Sequence, residues 1–389
     1  MRIVVLGMMG QSPFGGQTWM HLHWLLGFHR LGHEVWYVED SAAWPFDPVE
    51  NTLTENPRYA VRHIADAMAR VGLPDRWAYR LAHRPQETWG RSATELRELY
   101  RTCDLLINLT GGTILTDEHR AAPCRVYLET DPVTVELKIA SGDAFAREML
   151  AAHNVHVTYG ENYGAADCGV PLAGIAWRKT RQPIALDWWP MVFTPDAPYF
   201  TTIGNYRQSG QDVTWNGTTY YWSKHHEWEK FLALPQRTRQ RFELALMVKD
   251  EADRQKLEAH GWRIVSPWEM SLDVFGAYPR YIRQSRAEFT VAKDQNVRLR
   301  SGWFSERDVC YLASGKPVVA QDTGFGAVVP TGRGLFAFRA PEDALTAIEQ
   351  INADYPGQCR AARELAEEYF ACEKIAAAFL ADLPAEARV

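Results

Sequence analysis

At 389 residues the chain exceeds one ordinary core, and at roughly 100–200 residues per domain it divides into two or three. Its 46% hydrophobic and 23% charged residues exclude a disordered or collagen-like chain, and a net charge of −6 excludes the overall basic excess behind salt-sensitive nucleic-acid binding, leaving room only for a local basic groove. Six cysteines with no C-x-x-C pair argue against a zinc knuckle or a disulfide framework and for a reducing cytoplasm, and no apolar run has the length of a signal h-region or a membrane span.

Residues 3–6 read as a buried strand. A loop with Gly7, Gly10, Gly15 and Gly16 follows, then a helix with Trp19, Leu22 and Leu26 on one stripe that ends near Gly32. The next strand, 33–39, completes a strand–helix–strand unit of about forty residues, the length of a right-handed crossover in a parallel sheet. Apolar runs at 104–109, 125–128 and 155–159 continue the alternation, so the first half is expected to be a doubly wound α/β domain.

Four prolines (Pro183, Pro190, Pro195, Pro198) and Trp188-Trp189 break the pattern over 178–198, as in a linker lying against a domain surface. The second half restarts with a strand at 199–203, followed by an aromatic and polar insertion at 208–228 in which 212–221 alternates about Asn216-Gly217, a hairpin signal. Strands at 242–248, 262–265, 288–292 and 317–321 restore the rhythm. A last helix at about 361–380 places Leu365, Tyr369, Cys372, Ala376 and Phe379 on one stripe. The expected organisation is an N-terminal Rossmann-like domain at 1–185, a second at 186–360 and a C-terminal helical segment at 361–389 packing across both, with the two α/β domains facing each other over a cleft.

The most informative stretch is 301–326. Ser305 stands at a helix start, and Asp308 completes a Ser-x-x-Asp capping pattern. A helix N-terminus presents free N–H groups, and Arg307 adds a guanidinium, a combination suited to a diphosphate; a plain cap with a solvated arginine is the alternative. After the strand 317–320 comes Gln321-Asp322-Thr323-Gly324-Phe325-Gly326. Ligands of open parallel sheets bind beyond the carboxyl ends of strands, so Asp322 and the backbone at Thr323 and Gly324 are candidates for sugar hydroxyls, against the alternative of an ordinary tight turn.

The run Ala-Ser-Gly-Lys-Pro-Val-Val-Ala at 313–320, after a capped helix and before an acidic glycine turn, resembles the C-terminal nucleotide-sugar half of GT-B glycosyltransferases. Gly15-Gly16, a helix and then Leu31-Gly32-His33-Glu34-Val35 resemble the start of the same superfamily, in the right order. The best-known retaining members carry two glutamates flanking the phosphate helix; the matching positions here are Gly302 and Cys310, so the usual ribose contact and stereochemical class do not carry over. The stretch Trp303-Phe304-Ser305-Glu306-Arg307 is closer to poorly described relatives with Ser-x-Arg at that place.

The resemblance implies a sugar transferred from a nucleoside-diphosphate sugar, a co-substrate rather than a cofactor, held by the second domain, with an acceptor on the first. Donor contacts are expected from Gly15, Gly16, Lys293, Ser305 and Arg307, from Asn205 and Arg207 and then Lys224 at lower rank, and from Asp322, Thr323 and Gly324. On the acceptor side, Glu129-Thr130-Asp131-Pro132 ends a strand, so Asp131 is the candidate base, with His21 or His23 as alternatives that face different directions on one helix. Trp215, Tyr220, Tyr221 and Trp222 form either a stacking platform for a sugar or a packed hairpin. No Asp-x-Asp triad is present, and helix dipole, Arg and Lys suffice for a departing diphosphate without a metal. The motifs name neither sugar nor acceptor: a natural product, a cell-wall polymer, a protein or a modified nucleic-acid base fits the same cleft. A Rossmann oxidoreductase is disfavoured because Gly7-Met8-Met9-Gly10 lacks the G-x-G-x-x-G spacing. The same scaffold also accommodates a sugar-nucleotide epimerase or hydrolase, or a non-catalytic nucleotide-sugar binder, because fold alone does not fix chemistry.

Overall fold

A computed structural model of the chain describes residues 1–41, 43–81 and 83–384. Up to Lys179 the chain contributes β1 (Arg2–Leu6), β2 (Glu34–Glu39), a small hairpin of β3 (Phe46–Asp47) and β4 (Thr52–Leu53), then β5 (Trp77–Arg80), β6 (Thr88–Trp89), β7 (Leu105–Leu109), β8 (Cys124–Glu129), β9 (Val155–Thr158) and β10 (Trp177–Lys179). From Tyr199 it contributes β11 (Tyr199–Asn205), β12 (Val213–Trp215), β13 (Thr218–Tyr220), β14 (Arg241–Met247), β15 (Trp262–Val265), β16 (Ala287–Thr290), β17 (Val318–Gln321) and β18 (Leu335–Phe338).

The first sheet runs β10-β9-β8-β7-β1-β2-β5-β6 and is parallel except for β6, which pairs antiparallel with β5. The second runs β15-β14-β11-β16-β17-β18 and is parallel throughout. Helices cover both faces, which is why central strands such as β7 are buried at every position rather than alternating. In each sheet the strand order reverses beside the first strand of its half, β1 or β11, and the crevice beyond that strand's carboxyl end is where open α/β sheets bind ligands.

The two halves are closely joined. The helix Gly15–Arg30 of the first half sets Trp19 against Trp188, Trp189 and Phe275, and Trp19 Nε1 donates to the carbonyl of Val274 at 2.8 Å. The expected single C-terminal helix is two, Tyr355–Tyr369 and Cys372–Asp382. The break falls where the Phe370 carbonyl and the Cys372 N–H turn aside to bond Ile184, at 2.7 and 2.9 Å. The second of these helices returns to the first half, where Gly27 lets it approach: a Cβ there would lie 2.7 Å from the Cys372 carbonyl oxygen. Residues 385–389 of the expected 361–389 segment lie outside the described residues.

The Asn216-Gly217 turn, with φ of 50° and 74°, closes the β12–β13 hairpin in the geometry a two-residue connection prefers. Val213 and Tyr220 pack with Val133, Leu137 and Leu299, so the insertion reaches over to the first half and covers the helix Thr134–Ala140. Strands β5, β6, β10 and β18 have no counterpart among the sequence expectations; each is two to four residues long and too short for a period to show.

Candidate functional site

Beyond the carboxyl ends of β11 and β16 lies a cavity of about 200 Å³ whose walls include Asn205, Gln208, Lys224, Lys293, Ser305 and Arg307. The strands stop there for local reasons. Lys293 is the N-cap of the helix Asp294–Leu299 and Ser305 the N-cap of the helix Glu306–Ala313, both in extended backbone. The Ser305 hydroxyl makes no capping bond, and Asp308 turns to Arg307 instead of back to Ser305, so the expected Ser-x-x-Asp box does not close. The first-turn N–H groups of this helix are left without a side-chain acceptor.

The three cations of the wall differ in how fully they are neutralised. Arg307 donates from Nε to Glu288 Oε1 at 2.5 Å, from Nη1 to the Ile203 carbonyl at 2.8 Å, and from Nη2 to Thr290 Oγ1 at 2.8 Å and Asp308 Oδ1 at 3.0 Å. These bonds take up most of its five N–H groups, and the two carboxylates keep it charged against the cost of burial. Burial in turn pushes the Glu288 carboxyl above its ordinary range, with Arg307 opposing. Lys293 pairs with Asp131 at the end of β8, across the cleft, and lies over the Trp222 ring; burial pushes its ammonium down to about 8 although Asp131 pulls the other way. Lys224 is different. Among the described residues no carboxylate lies within ion-pair distance of it, its nearest aromatic partner is Trp303 at 5.4 Å, and burial followed by the Arg307 charge pushes it down to about 7.

The remaining expected residues lie as follows. Asn205 is exposed on the cavity rim. Arg207 turns to the helix Glu251–Ala259, where it pairs with Asp253. Asp322 is held by Arg300 at 3.0 Å, Arg339 at 2.6 Å and the Gly324 N–H at 2.8 Å; these bonds keep its carboxyl below the ordinary range despite burial. Thr323 donates to the Trp303 carbonyl at 2.5 Å, and Gly324, at φ +100°, backs onto Asn162 of the first half. The acidic glycine turn is therefore an inter-domain seam with its polar groups engaged. Gly302 and Cys310 have no room for acids: a Cβ on Gly302 would run into the backbone nitrogen of Asn162, and Cys310 is buried.

Gly15 faces Tyr278, whose ring would lie 2.5 Å from an added Cβ, and Gly16 lies against the same side chain. His21 is fully buried, with Nδ1 bonded to the Gln17 carbonyl at 2.7 Å and Nε2 accepting from the Met8 N–H at 3.2 Å. Burial pushes it down to about 4, so it stays neutral and has no nitrogen to offer a substrate. His23 joins the halves instead, bonding Glu306 at 2.7 Å and accepting from Trp189 Nε1 at 2.9 Å. Of the hairpin aromatics, Tyr220 is core, Tyr221 stacks on His226 at 4.0 Å, and Trp222 carries Lys293.

Asp131 is well placed on the first half. The Thr130 carbonyl accepts from Trp303 Nε1 at 3.0 Å, and Thr134 bonds Gln295, so the turn is tied to the second half on both sides. Val133 is held at φ +93°, an unfavourable value for a β-branched residue, by its N–H bonds to Glu136 at 2.9 Å and the Tyr163 hydroxyl at 3.0 Å. Glu129 and Glu136 lie together in the core below, where burial pushes both carboxyls up. Sequence reasoning missed Glu288 and Glu136; an acid inside an apolar strand, as in Ala-Glu-Phe-Thr, was the available signal for the former. Among the described residues no group of three His, Cys, Asp or Glu side chains is placed to hold a metal ion.

No family model and no curated protein matches the chain in sequence. Solved structures do resemble it along its whole length. AviGT4, a glycosyltransferase involved in avilamycin A biosynthesis, aligns over 100% of this chain and 97% of its own, at 15% identity and a TM-score of 0.53. Anabaena Alr3699/HepE in complex with UDP-glucose aligns over 98% and 100%, at 13% identity and a TM-score of 0.59. An alpha-glucosyltransferase in complex with UDP and a DNA 13-mer aligns over 98% of each chain, at 11% identity and a TM-score of 0.60. The chain has the two-domain GT-B architecture, as its motifs implied.

Proposed function

We propose that the protein is a metal-independent glycosyltransferase that moves a sugar, in our reading a hexosyl group, from a nucleoside-diphosphate sugar to an acceptor. The observation that carries this reading is Lys224: a cation with no carboxylate at ion-pair distance among the described residues, beside Lys293 and the uncapped start of the helix Glu306–Ala313, in the crevice where parallel sheets take ligands. A pyrophosphate supplies the missing negative charge. As the bond from the anomeric carbon to the phosphate oxygen breaks, charge collects on the leaving diphosphate, and Lys224, Lys293 and the first-turn N–H groups stabilise it there. The acceptor hydroxyl forms the new bond to that carbon, and its proton passes to Asp131. Arg307 braces β11 and β16 beneath the cavity through its bonds to Ile203, Glu288 and Thr290 rather than gripping phosphate itself. We place the reaction in the reducing cytoplasm, in keeping with six unpaired cysteines and with the absence, among the described residues, of a helix long and apolar enough to cross a membrane.

Thermal-shift measurements against UDP, GDP and dTDP, their sugars, and NAD test this directly, because a ligand bound only by the folded state raises the melting point. A rise with one diphosphate series and none with NAD is expected. Lys224→Met is expected to raise the Kd for that diphosphate about 10- to 100-fold, the size of one lost charge-assisted hydrogen bond. Unchanged affinity removes Lys224 from the site.

A further inference from the structure

The Asp131–Lys293 pair carries a further consequence, which rests on the donor reading above. Among the described residues Lys293 has one carboxylate partner, and it comes from the opposite domain. The lysine is buried with its ammonium over Trp222, while Asp131 is one-third exposed and its Oδ1 has no hydrogen-bond partner. On the wall itself Glu288 and Asp308 are both committed to Arg307. Asp131 is therefore the carboxylate that neutralises Lys293, whereas Lys224 feels only the more distant Asp308 and Glu288 already bonded to Arg307.

We propose that Asp131 is a tethered stand-in for the donor phosphate: its carboxylate holds Lys293 until a donor arrives, and the incoming diphosphate takes over the ammonium and releases Asp131 to the acceptor. The geometry makes this a side-chain event. Trp303 fixes the Thr130 carbonyl, Gln295 fixes Thr134, and Val133 is clamped by Glu136 and Tyr163, so the backbone on either side of Asp131 stays put while the carboxylate rotates away. Charge is conserved in the exchange: one anion leaves Lys293 as another reaches it, so the ammonium is never buried unpaired. Donor binding is thereby coupled to freeing the base, and the acceptor proton has no free carboxylate to go to before the donor is seated.

The test is the affinity of Asp131→Asn for the nucleoside diphosphate that the thermal-shift panel identifies, measured by calorimetry beside wild type. Removing the competing charge is expected to tighten binding about fivefold, the upper range for a partly exposed pair, while sugar transfer slows. The double variant Asp131→Asn/Lys293→Met separates this from a general electrostatic effect: with Lys293→Met as the reference, Asp131→Asn is expected to change affinity less than about twofold. Equal or weaker binding by Asp131→Asn, or the same gain in the Lys293→Met background, overturns the stand-in while leaving the donor reading intact. Failure of wild type to bind any of the diphosphates overturns the donor reading itself and the stand-in with it. A melting point of Asp131→Asn close to wild type certifies that the comparison is between folded proteins.

Discussion

Two helix starts face the cleft, and they have opposite fates. The helix Gly15–Arg30 begins at Phe14 and the helix Glu306–Ala313 at Ser305, both from extended backbone and both without a side-chain cap. At the first, the Tyr278 side chain packs against Gly15 and Gly16 and fills the space that the glycines leave. At the second, the neighbouring space is a cavity with an unpaired lysine on its wall. A helix N-terminus has a standing attraction for anions, but it becomes a site only where nothing apolar is packed against it and a second cation lacks its counter-charge.

The largest expected effect tests whether Arg307 belongs to the framework of the second site. Arg307→Ala strands Glu288 and Asp308 as buried unpaired carboxylates, a loss of about 3–5 kcal/mol in folding stability. Denaturant unfolding is expected to show that loss, and Arg307→Ala/Glu288→Gln to recover part of it. A variant of unchanged stability that binds diphosphate poorly would move Arg307 from framework to ligand and make the two lysines its helpers.

At the first helix start the test runs the other way. Gly15→Ala puts a methyl group 2.5 Å from the Tyr278 ring, an overpacking cost of about 1–3 kcal/mol, with nucleotide affinity unchanged. Tyr278→Ala is expected to relieve the clash in the double variant. If Gly15→Ala instead weakens nucleotide binding at constant stability, the glycine turn touches the donor and the contrast between the two helix starts fails.

How far these fates were legible follows from where the deciding partners sit in the chain. The parallel sheets show in the sequence because buried strands such as β1 and β7 are apolar at all but one position, and the hairpin shows because Asn-Gly fits positive φ at both turn residues. A single helix at 361–380 is the natural reading because the stripe Leu365, Tyr369, Cys372, Ala376 and Phe379 continues past Phe370, while the break is made by Ile184, far away in sequence. At the site the residue types were readable and the charge states were not. Lys293 reads as a free phosphate ligand, and nothing local shows that Asp131, 162 positions away, already occupies it. Arg307 looks like the stronger cation until Glu288, from the neighbouring strand, is found beneath it. Lys224 ranks low in sequence because its distinction is a missing partner, and no local pattern encodes an absence. Gly15-Gly16 reads as a phosphate turn because glycine marks close approach, without saying whether a ligand or a tyrosine approaches.

The last test reads the charge state of the two lysines through pH. Their folded-state values of about 7 and 8 lie below the ordinary 10.5 of a lysine. An anion binds the protonated ammonium, so diphosphate affinity is expected to be greatest below pH 7 and to fall through pH 7 and then 8, by up to about tenfold per unit for each group. The phosphate's own last proton leaves near pH 6 and so changes the affinity below this window. Folding carries the opposite sign. Between about pH 7 and 10.5 the unfolded chain binds the Lys224 proton and the folded chain does not, so this group's contribution to stability rises with pH. Comparing wild type with Lys224→Met cancels the remaining titrating groups: the stability of wild type relative to the variant is expected to climb from pH 7 to 10, while its advantage in diphosphate affinity shrinks over the same range. A stability difference that stays flat would mean that Lys224 titrates as a solvated side chain, and the wall of the second helix start would then be no more poised for an anion than the first.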